Sequence, residues 1–361
     1  MLKQQKIFFD FLRFCIGSAK EIPDSLKEAD WKELYAIAKK QCLVGVLFDG
    51  IKKLPAEYVG MKKELLLQWM AESQMLVKAN VRLNDAAIQV SEWFLKKGFR
   101  TCILKGQGNA LMYPNPYSRT PGDIDIWVEG GDKRVISFVR SISPHEKACY
   151  HHIEFPSYKG VEVEVHYRPS FLLCFWHNRK LQKYYERVKE EQFSHRVMLG
   201  EQGEIAIPTV EFNLIFQLTH IFLHLMNEGI GLRQLLDYYF VLKAAQGKHK
   251  EEVFADFKQF GMIRFARGVM WIMQYAFLLE DECLICDADE KEGKYILEQV
   301  MHGGNFGHHD KRLSNSPDGK IGSVWRVIKH NLHLISHYPT DVLWAPVWIV
   351  WHWGWKKTKQ V

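Results

Sequence analysis

The sequence has few features that would place it outside the ordinary globular proteins. It contains no continuous apolar run of the ~18 residues that a membrane-spanning helix requires. Asp10 interrupts the first apolar run after the N-terminal lysines, and no small-residue cleavage site follows, which argues against a signal peptide. Internal repeats and low-complexity segments are missing as well. We therefore expect a soluble, cytoplasmic protein without a transmembrane segment.

Paired cysteines and large blocks of one charge are also missing. The 7 cysteines are odd in number and scattered, which disfavours a disulfide framework and fits a reducing compartment. Cys283 and Cys286 have the spacing of zinc and redox sites, but without a second pair we interpret them as core thiols. The formal net charge of +6 comes without a long basic block, so it permits an anionic ligand and does not require nucleic acid.

The apolar pattern predicts an α+β fold in which a small mixed β-sheet core is flanked by helical regions. A chain of 361 residues is expected to form two or three domains. Residues 1–97 follow a helical period, residues 98–170 change to short runs with a period of two, and residues 171–361 return to mainly helical patterns. These three ranges are the predicted domains.

Two acidic residues inside an apolar strand carry the functional prediction. Asp123 and Asp125 are two residues apart, so both side chains leave the same face of a strand, where their charges repel unless a cation lies between them. The strand at residues 161–167 supplies further acids at alternate positions, of which Glu164 is the preferred third ligand and Glu162 the competitor. This pattern predicts a metal site.

A glycine turn and basic residues complete a family resemblance. The sequence has Leu-Lys-Gly ending at Gly106, then Arg-x-x-Gly-Asp-Ile-Asp from Arg119, and then acid-x-His-aromatic-Arg from Glu164. This set resembles the uncharacterised nucleotidyltransferase family of the DNA polymerase β-like superfamily. It is similar, more distantly, to the nucleotidyltransferase-type toxins of bacterial abortive-infection systems.

The resemblance implies specific roles and a nucleotidyltransferase fold for the core. The implied metal ligands and catalytic acids are Asp123, Asp125 and Glu164, and the implied substrate-binding residues are Lys105, Gly106 and Arg119, to which we add His166 on the face of Glu164. The chain differs from the wider superfamily in having glutamine after Gly106, where serine is usual, and glutamate as the third acid.

The implied reaction is transfer of a nucleoside monophosphate from a nucleoside triphosphate to a hydroxyl group, with release of pyrophosphate. It would use two Mg²⁺ ions, with Mn²⁺ as the substitute. The sequence does not define the acceptor, which is a small molecule, a protein or an RNA. The alternative is a non-catalytic relative that binds nucleotide or a partner in regulation or defence.

Three other features have a structural interpretation and a functional alternative. His220 and His224 are interpreted as core histidines on a helix, although their spacing can bind metal. The tryptophan-rich segment 344–355 is predicted to dock on the protein's own core rather than lie in a membrane interface. The glycine- and histidine-rich segment 302–310 is interpreted as a surface turn, with a lid over the nucleotide as the alternative.

Overall fold

The computed structural model describes residues 3–201, 203–307 and 333–359. Within these ranges the chain is α+β, with a small mixed sheet among many helices, which confirms the predicted fold class. Residues 308–310 of the glycine- and histidine-rich segment lie outside the described residues.

Helices of eight or more residues lie before, between and after the strands in the sequence. They are α1 (Lys3–Ile16), α2 (Trp31–Lys40), α3 (Val44–Ile51), α4 (Lys63–Lys96), then, after the four-residue α5 (Gln107–Ala110), α6 (Gly131–Ile142), α7 (Phe175–Ser194), α8 (Val210–Asn227), α9 (Leu232–Ala245), α10 (Lys250–Gln259), α11 (Ile263–Phe277), α12 (Glu290–Gly303) and α13 (Pro339–Lys359). Thr209 caps α8, because its side-chain oxygen accepts the backbone N–H of Phe212 at 3.3 Å.

Four strands form the main sheet in the order β1-β2-β4-β3. They are β1 (Thr101–Ile103), β2 (Ile124–Val128), β3 (His152–Tyr158) and β4 (Val161–His166). β2 runs antiparallel to β1 and parallel to β4, and β3 pairs antiparallel with β4 at the edge. A separate hairpin joins β5 (Arg196–Met198) and β6 (Glu204–Ala206).

Alternation along the two central strands separates apolar from polar chemistry. The apolar residues Ile124, Ile126, Val163 and Val165 share a core with residues of α4 and α6. The residues between them therefore face the other side of the sheet. On that side Trp127 of β2 packs against Phe193 of α7 and Phe212 of α8, with ring centroids 4.7 and 5.9 Å away. Asp125, Glu164 and His166 consequently face the α7–α8 side.

The tryptophan-rich helix α13 contacts the sheet edge. Trp348 is 4% exposed and stacks on Phe171 with ring centroids 4.8 Å apart. Trp348, Trp351 and Trp355 all contact the ring of Tyr150, just before β3. Among the described helices, none combines the length and the hydrophobicity that crossing a bilayer would demand.

Candidate active site

Three carboxylates converge where β2 and β4 lie side by side. Asp125 pairs in register with Glu164 across the parallel strands, and Asp123 lies immediately before β2. One carboxylate oxygen from each of Asp123, Asp125 and Glu164 lies within 4.8 Å of the others. The parallel neighbours thus bring together acids that are about forty residues apart in the sequence.

Two cations already contact Asp125, which is 4% exposed. The ammonium Nζ of Lys105 lies 3.0 Å from Asp125 Oδ2, and His166 Nε2 lies 3.0 Å from Oδ1. The same His166 nitrogen is 3.4 Å from Glu164 Oε2. Its Nδ1–H donates to the carbonyl oxygen of Arg168 at 3.3 Å, so both ring nitrogens act as donors.

These contacts divide the charges unequally among the acids. The charge of Asp125, followed by burial, raises the pKa of Asp123 to about 6. Burial opposes the ionisation of both Asp125 and Glu164. Lys105 and His166 outweigh burial at Asp125 and lower its pKa. His166 and His152 do the same at Glu164. Burial also opposes protonation of His166, yet its hydrogen bonds to the two carboxylates raise its pKa to about 9. Asp123 therefore carries the least compensated negative charge.

Helix α8 brings two histidines to the site, which the sequence-based interpretation placed in the core. His220 Nε2 lies 3.0 Å from Lys105 Nζ and 2.7 Å from His224 Nε2. His224 Nδ1 in turn lies 2.5 Å from Glu228 Oε1. His220 is buried as expected, but it also holds the lysine that contacts Asp125. The sequence signal for these histidines was their spacing of four residues. The contact of His220 with Lys105 could not be read from it, because the two residues lie 115 positions apart.

A cavity of about 690 Å³ opens over these groups. The three acids, Lys105, His166 and Arg82 of α4 line it, together with four residues of α8 and the residue after that helix, namely His220, Leu223, His224, Asn227 and Glu228. This volume lies within the range of roughly 300–1,000 Å³ typical of small-molecule sites. Arg82 is a cavity-lining cation that the motif analysis did not select.

A profile of the uncharacterised nucleotidyltransferase family matches residues 27–277, more than two thirds of the chain. The chain belongs to this family. The matched range contains all the residues predicted for the site, as well as α8 and α9. No curated protein and no solved structure matches the chain. The wider resemblance to the polymerase β-like superfamily and to the toxins stays a prediction.

The turn after β1 has a geometry that requires glycine. Gly106 follows β1 with φ +54° and ψ −100°, a conformation that side-chain-bearing residues rarely adopt. A Cβ at this position would meet only the carbonyl oxygen of Asp123, at an ordinary contact distance of 3.9 Å. The backbone conformation, rather than a lack of space, therefore favours glycine here.

Arg119 lies in a different place from the one the resemblance implies. Its guanidinium makes a bidentate contact with Asp237 of α9, with Nε–Oδ1 and Nη2–Oδ2 distances of 2.8 and 2.7 Å. Tyr113 donates to the same carboxylate at 2.7 Å, and both charged side chains are 8% exposed. Arg119 is absent from the cavity wall as described and instead ties the segment before β2 to α9.

The site can hold a divalent cation on chemical grounds. Carboxylate oxygens are the ligands that Mg²⁺ and Mn²⁺ prefer, and the three acids present only oxygen donors. The elevated pKa of Asp123 reports repulsion that a bound cation would relieve. Glu162 lines the same cavity but lies outside the group of three converging acids.

Proposed function

We propose that the chain transfers a nucleoside monophosphate from a nucleoside triphosphate to a hydroxyl-bearing acceptor and releases pyrophosphate. The observation that carries this proposal is the convergence of Asp123, Asp125 and Glu164 in the lining of a large cavity. Membership of a nucleotidyltransferase family supports the general reaction.

Divalent ions are part of the proposal. Asp123, Asp125 and Glu164 would hold two Mg²⁺ ions, or Mn²⁺ in their place, and when bound these ions would neutralise the triphosphate and stabilise the departing pyrophosphate. The all-oxygen donor set and the uncompensated charge of Asp123 support this assignment.

The protein groups orient the reactants and carry the proton. Lys105 and His166 hold Asp125 in one orientation through their two 3.0 Å contacts. The acceptor oxygen attacks the α-phosphorus as the bond to the pyrophosphate oxygen breaks, and the hydroxyl proton passes to the carboxylate of Glu164. Lys105 and Arg82 provide positive charge toward the phosphates. The Gly106 turn lets the chain approach the triphosphate.

The tryptophan-rich helix has a structural part in this proposal. The contacts of Trp348 with Phe171 and Tyr150 support docking on the protein's own core, at the edge of the sheet that carries Glu164. A small molecule, a protein side chain and an RNA end all remain candidate acceptors.

The first test measures nucleotide binding, which does not require the acceptor. Calorimetric titration with Mg²⁺ and a non-hydrolysable triphosphate should show binding to the native chain and at least ~10-fold weaker binding to Asp123→Asn. Glu162→Gln, on the same strand and cavity, is the matched control and should bind nearly as the native chain does. Equal affinities for all three proteins would contradict the metal role of Asp123.

The second measurement separates transfer from binding alone. Labelled triphosphates, Mg²⁺ and a panel of hydroxylated small molecules, proteins and RNAs should yield pyrophosphate with the native chain, and at least ~100-fold less with Glu164→Gln. Tight binding without pyrophosphate across that panel would instead favour the non-catalytic nucleotide- or partner-binding role.

A further inference from the structure

A second cluster of metal-ligating side chains lies beside the carboxylates but has different chemistry. Cys149, His151 and His152 each present a ligand atom within 4.8 Å of the others. Cys149 Sγ lies 3.5 Å from His151 Nδ1, and His151 Nε2 lies 3.1 Å from His152 Nδ1. His151 and His152 also line the cavity. The cluster combines one sulfur with two imidazoles, whereas the neighbouring acids offer only oxygen.

The backbone brings these side chains together through a tight turn. The backbone N–H of Cys149 donates to the carbonyl oxygen of His152 at 2.9 Å, and Ala148 bridges Ile153 in antiparallel fashion. Cys149 and His152 are therefore opposite each other, and directly opposed residues in an antiparallel pair project to the same side. His151 occupies the two-residue connection between them.

Contacts from two other segments fix this turn. The buried hydroxyl of Tyr167 donates to the carbonyl oxygens of Cys149 and His152. Arg168 Nη1 donates to the carbonyl oxygen of Tyr150 at 2.7 Å. His352 of α13 accepts the backbone N–H of Tyr150 at 3.1 Å. The donor set is thus held in place by the fold, so little conformational entropy would be lost when a ligand binds.

We propose that Cys149, His151 and His152 form a binding site for Zn²⁺. Zinc takes cysteine sulfur and histidine nitrogen in a tetrahedral arrangement, and three protein ligands leave its fourth position to water or another oxygen. Cys149 is a free thiol, so its sulfur is available to a metal.

A third combination of donors around His152 is less suited to zinc. His152, Glu164 and His166 also lie within ligand distance of one another. His166, however, uses both of its ring nitrogens, toward Asp125 and Glu164 on one side and the carbonyl oxygen of Arg168 on the other. It therefore offers no lone pair to a metal. Among the described contacts, neither Cys149 nor His151 forms a hydrogen bond or ion pair with an acidic side chain.

The zinc site would contact the proposed catalytic acids through one hydrogen bond. A zinc-bound histidine commonly donates its other ring N–H to a carboxylate, which fixes both groups. Glu164 Oε2 lies 3.2 Å from His152 Nδ1, so His152 would bind zinc through Nε2 and donate from Nδ1 to this carboxylate. Bound zinc would thereby orient the third acid, although zinc binding itself does not depend on the nucleotidyl-transfer proposal.

Cobalt substitution in the full chain tests the site. Chelator-treated protein in excess Mg²⁺, which occupies sites made of oxygen donors, should bind one Co²⁺ with a thiolate-to-cobalt charge-transfer band that Zn²⁺ abolishes. Cys149→Ser should lose the band, while the matched control Cys286→Ser, another half-buried free thiol, should retain it. His151→Gln and His152→Gln should weaken Zn²⁺ binding at least ~10-fold in competition with a chromophoric chelator.

Zinc coordination can also be measured on the native chain, so the test does not depend on whether a variant folds. X-ray absorption of the zinc-loaded native chain should show one sulfur and at least two nitrogen ligands. A shell without sulfur, or a charge-transfer band that persists in Cys149→Ser, would overturn the proposal. Asp123→Asn should keep the band, so failure at the cysteine and failure at the acidic site are distinguishable.

Discussion

At the scale of single residues, Asp125 links the charges of the candidate site. The paired aspartates predict a cation between like charges, and the structure places the ammonium of Lys105 and the imidazole of His166 against Asp125. Asp123 lacks equivalent compensation, as its raised pKa indicates. A divalent ion would therefore gain most from Asp123, while Asp125 is already oriented for binding.

Arg82 should contribute to triphosphate binding rather than to the chemical step. It lines the cavity from α4, so its charge is available to the phosphate oxygens of a bound triphosphate. We expect Arg82→Ala to raise KM for the triphosphate about tenfold with little change in kcat, measured by steady-state pyrophosphate release. Lys96→Ala, which removes an exposed cation from the same helix, should leave both constants unchanged. An equal fall in kcat would argue for a role in the chemical step.

The site residues that the sequence predicted are related by local spacing along a strand. The contacts that it missed join residues that are far apart in the sequence. Alternation within a strand predicted that Asp123 and Asp125 share a face, and the same argument selected Glu164. The contact of Lys105 with His220 and that of Arg119 with Asp237 join residues 115 and 118 positions apart. No local period encodes such pairs, because they arise only when α8 and α9 pack beside the sheet.

At the scale of elements, β4 matters because it has two neighbours. β4 pairs antiparallel with β3, the strand just before it, and also runs parallel to β2, which lies farther back in the chain. Pro156 lies within β3. Since proline cannot donate a ladder hydrogen bond, it is tolerated on this edge strand, where the register shifts between Phe155 and Tyr158. The parallel pairing is what brings Glu164 beside Asp125.

Helix α13 offers a direct comparison of a packed and an exposed tryptophan. Trp348 is 4% exposed and Trp353 is 62% exposed. We expect Trp348→Ala to destabilise the chain by about 3–5 kcal/mol, because it deletes a buried ring that stacks on Phe171, and Trp353→Ala to have little effect. Chemical denaturation monitored by circular dichroism measures both. Similar, small losses for the two variants would indicate that the helix does not depend on this contact.

At the scale of the whole molecule, the described residues divide between a helical core and a smaller core on the apolar face of the sheet. The candidate site lies on the sheet's other face, against α8. Arg119 and Asp237 connect these regions by a buried ion pair, which holds the segment before β2 on α9. A buried pair of this kind adds little net stability but penalises arrangements that separate its partners. The acidic segment is thus positioned by the fold around it.

The global stability should also depend on pH through one buried acid that does not line the cavity. Asp341, in the first turn of α13, is 6% exposed, and burial raises its pKa to about 7. Between pH ~4 and ~7 the unfolded chain releases this proton while the folded chain retains it, so stability falls as the pH rises. Asp341→Asn removes that cost, and we expect it to be more stable than the native chain at pH 8, by up to about 4 kcal/mol, but nearly equal at pH 4. Denaturation curves between pH 4 and pH 8 measure the difference in stability, with the exposed Asp287→Asn as the control. If Asp341→Asn is more stable by the same amount at every pH, the titration of Asp341 is not the cause of the gain.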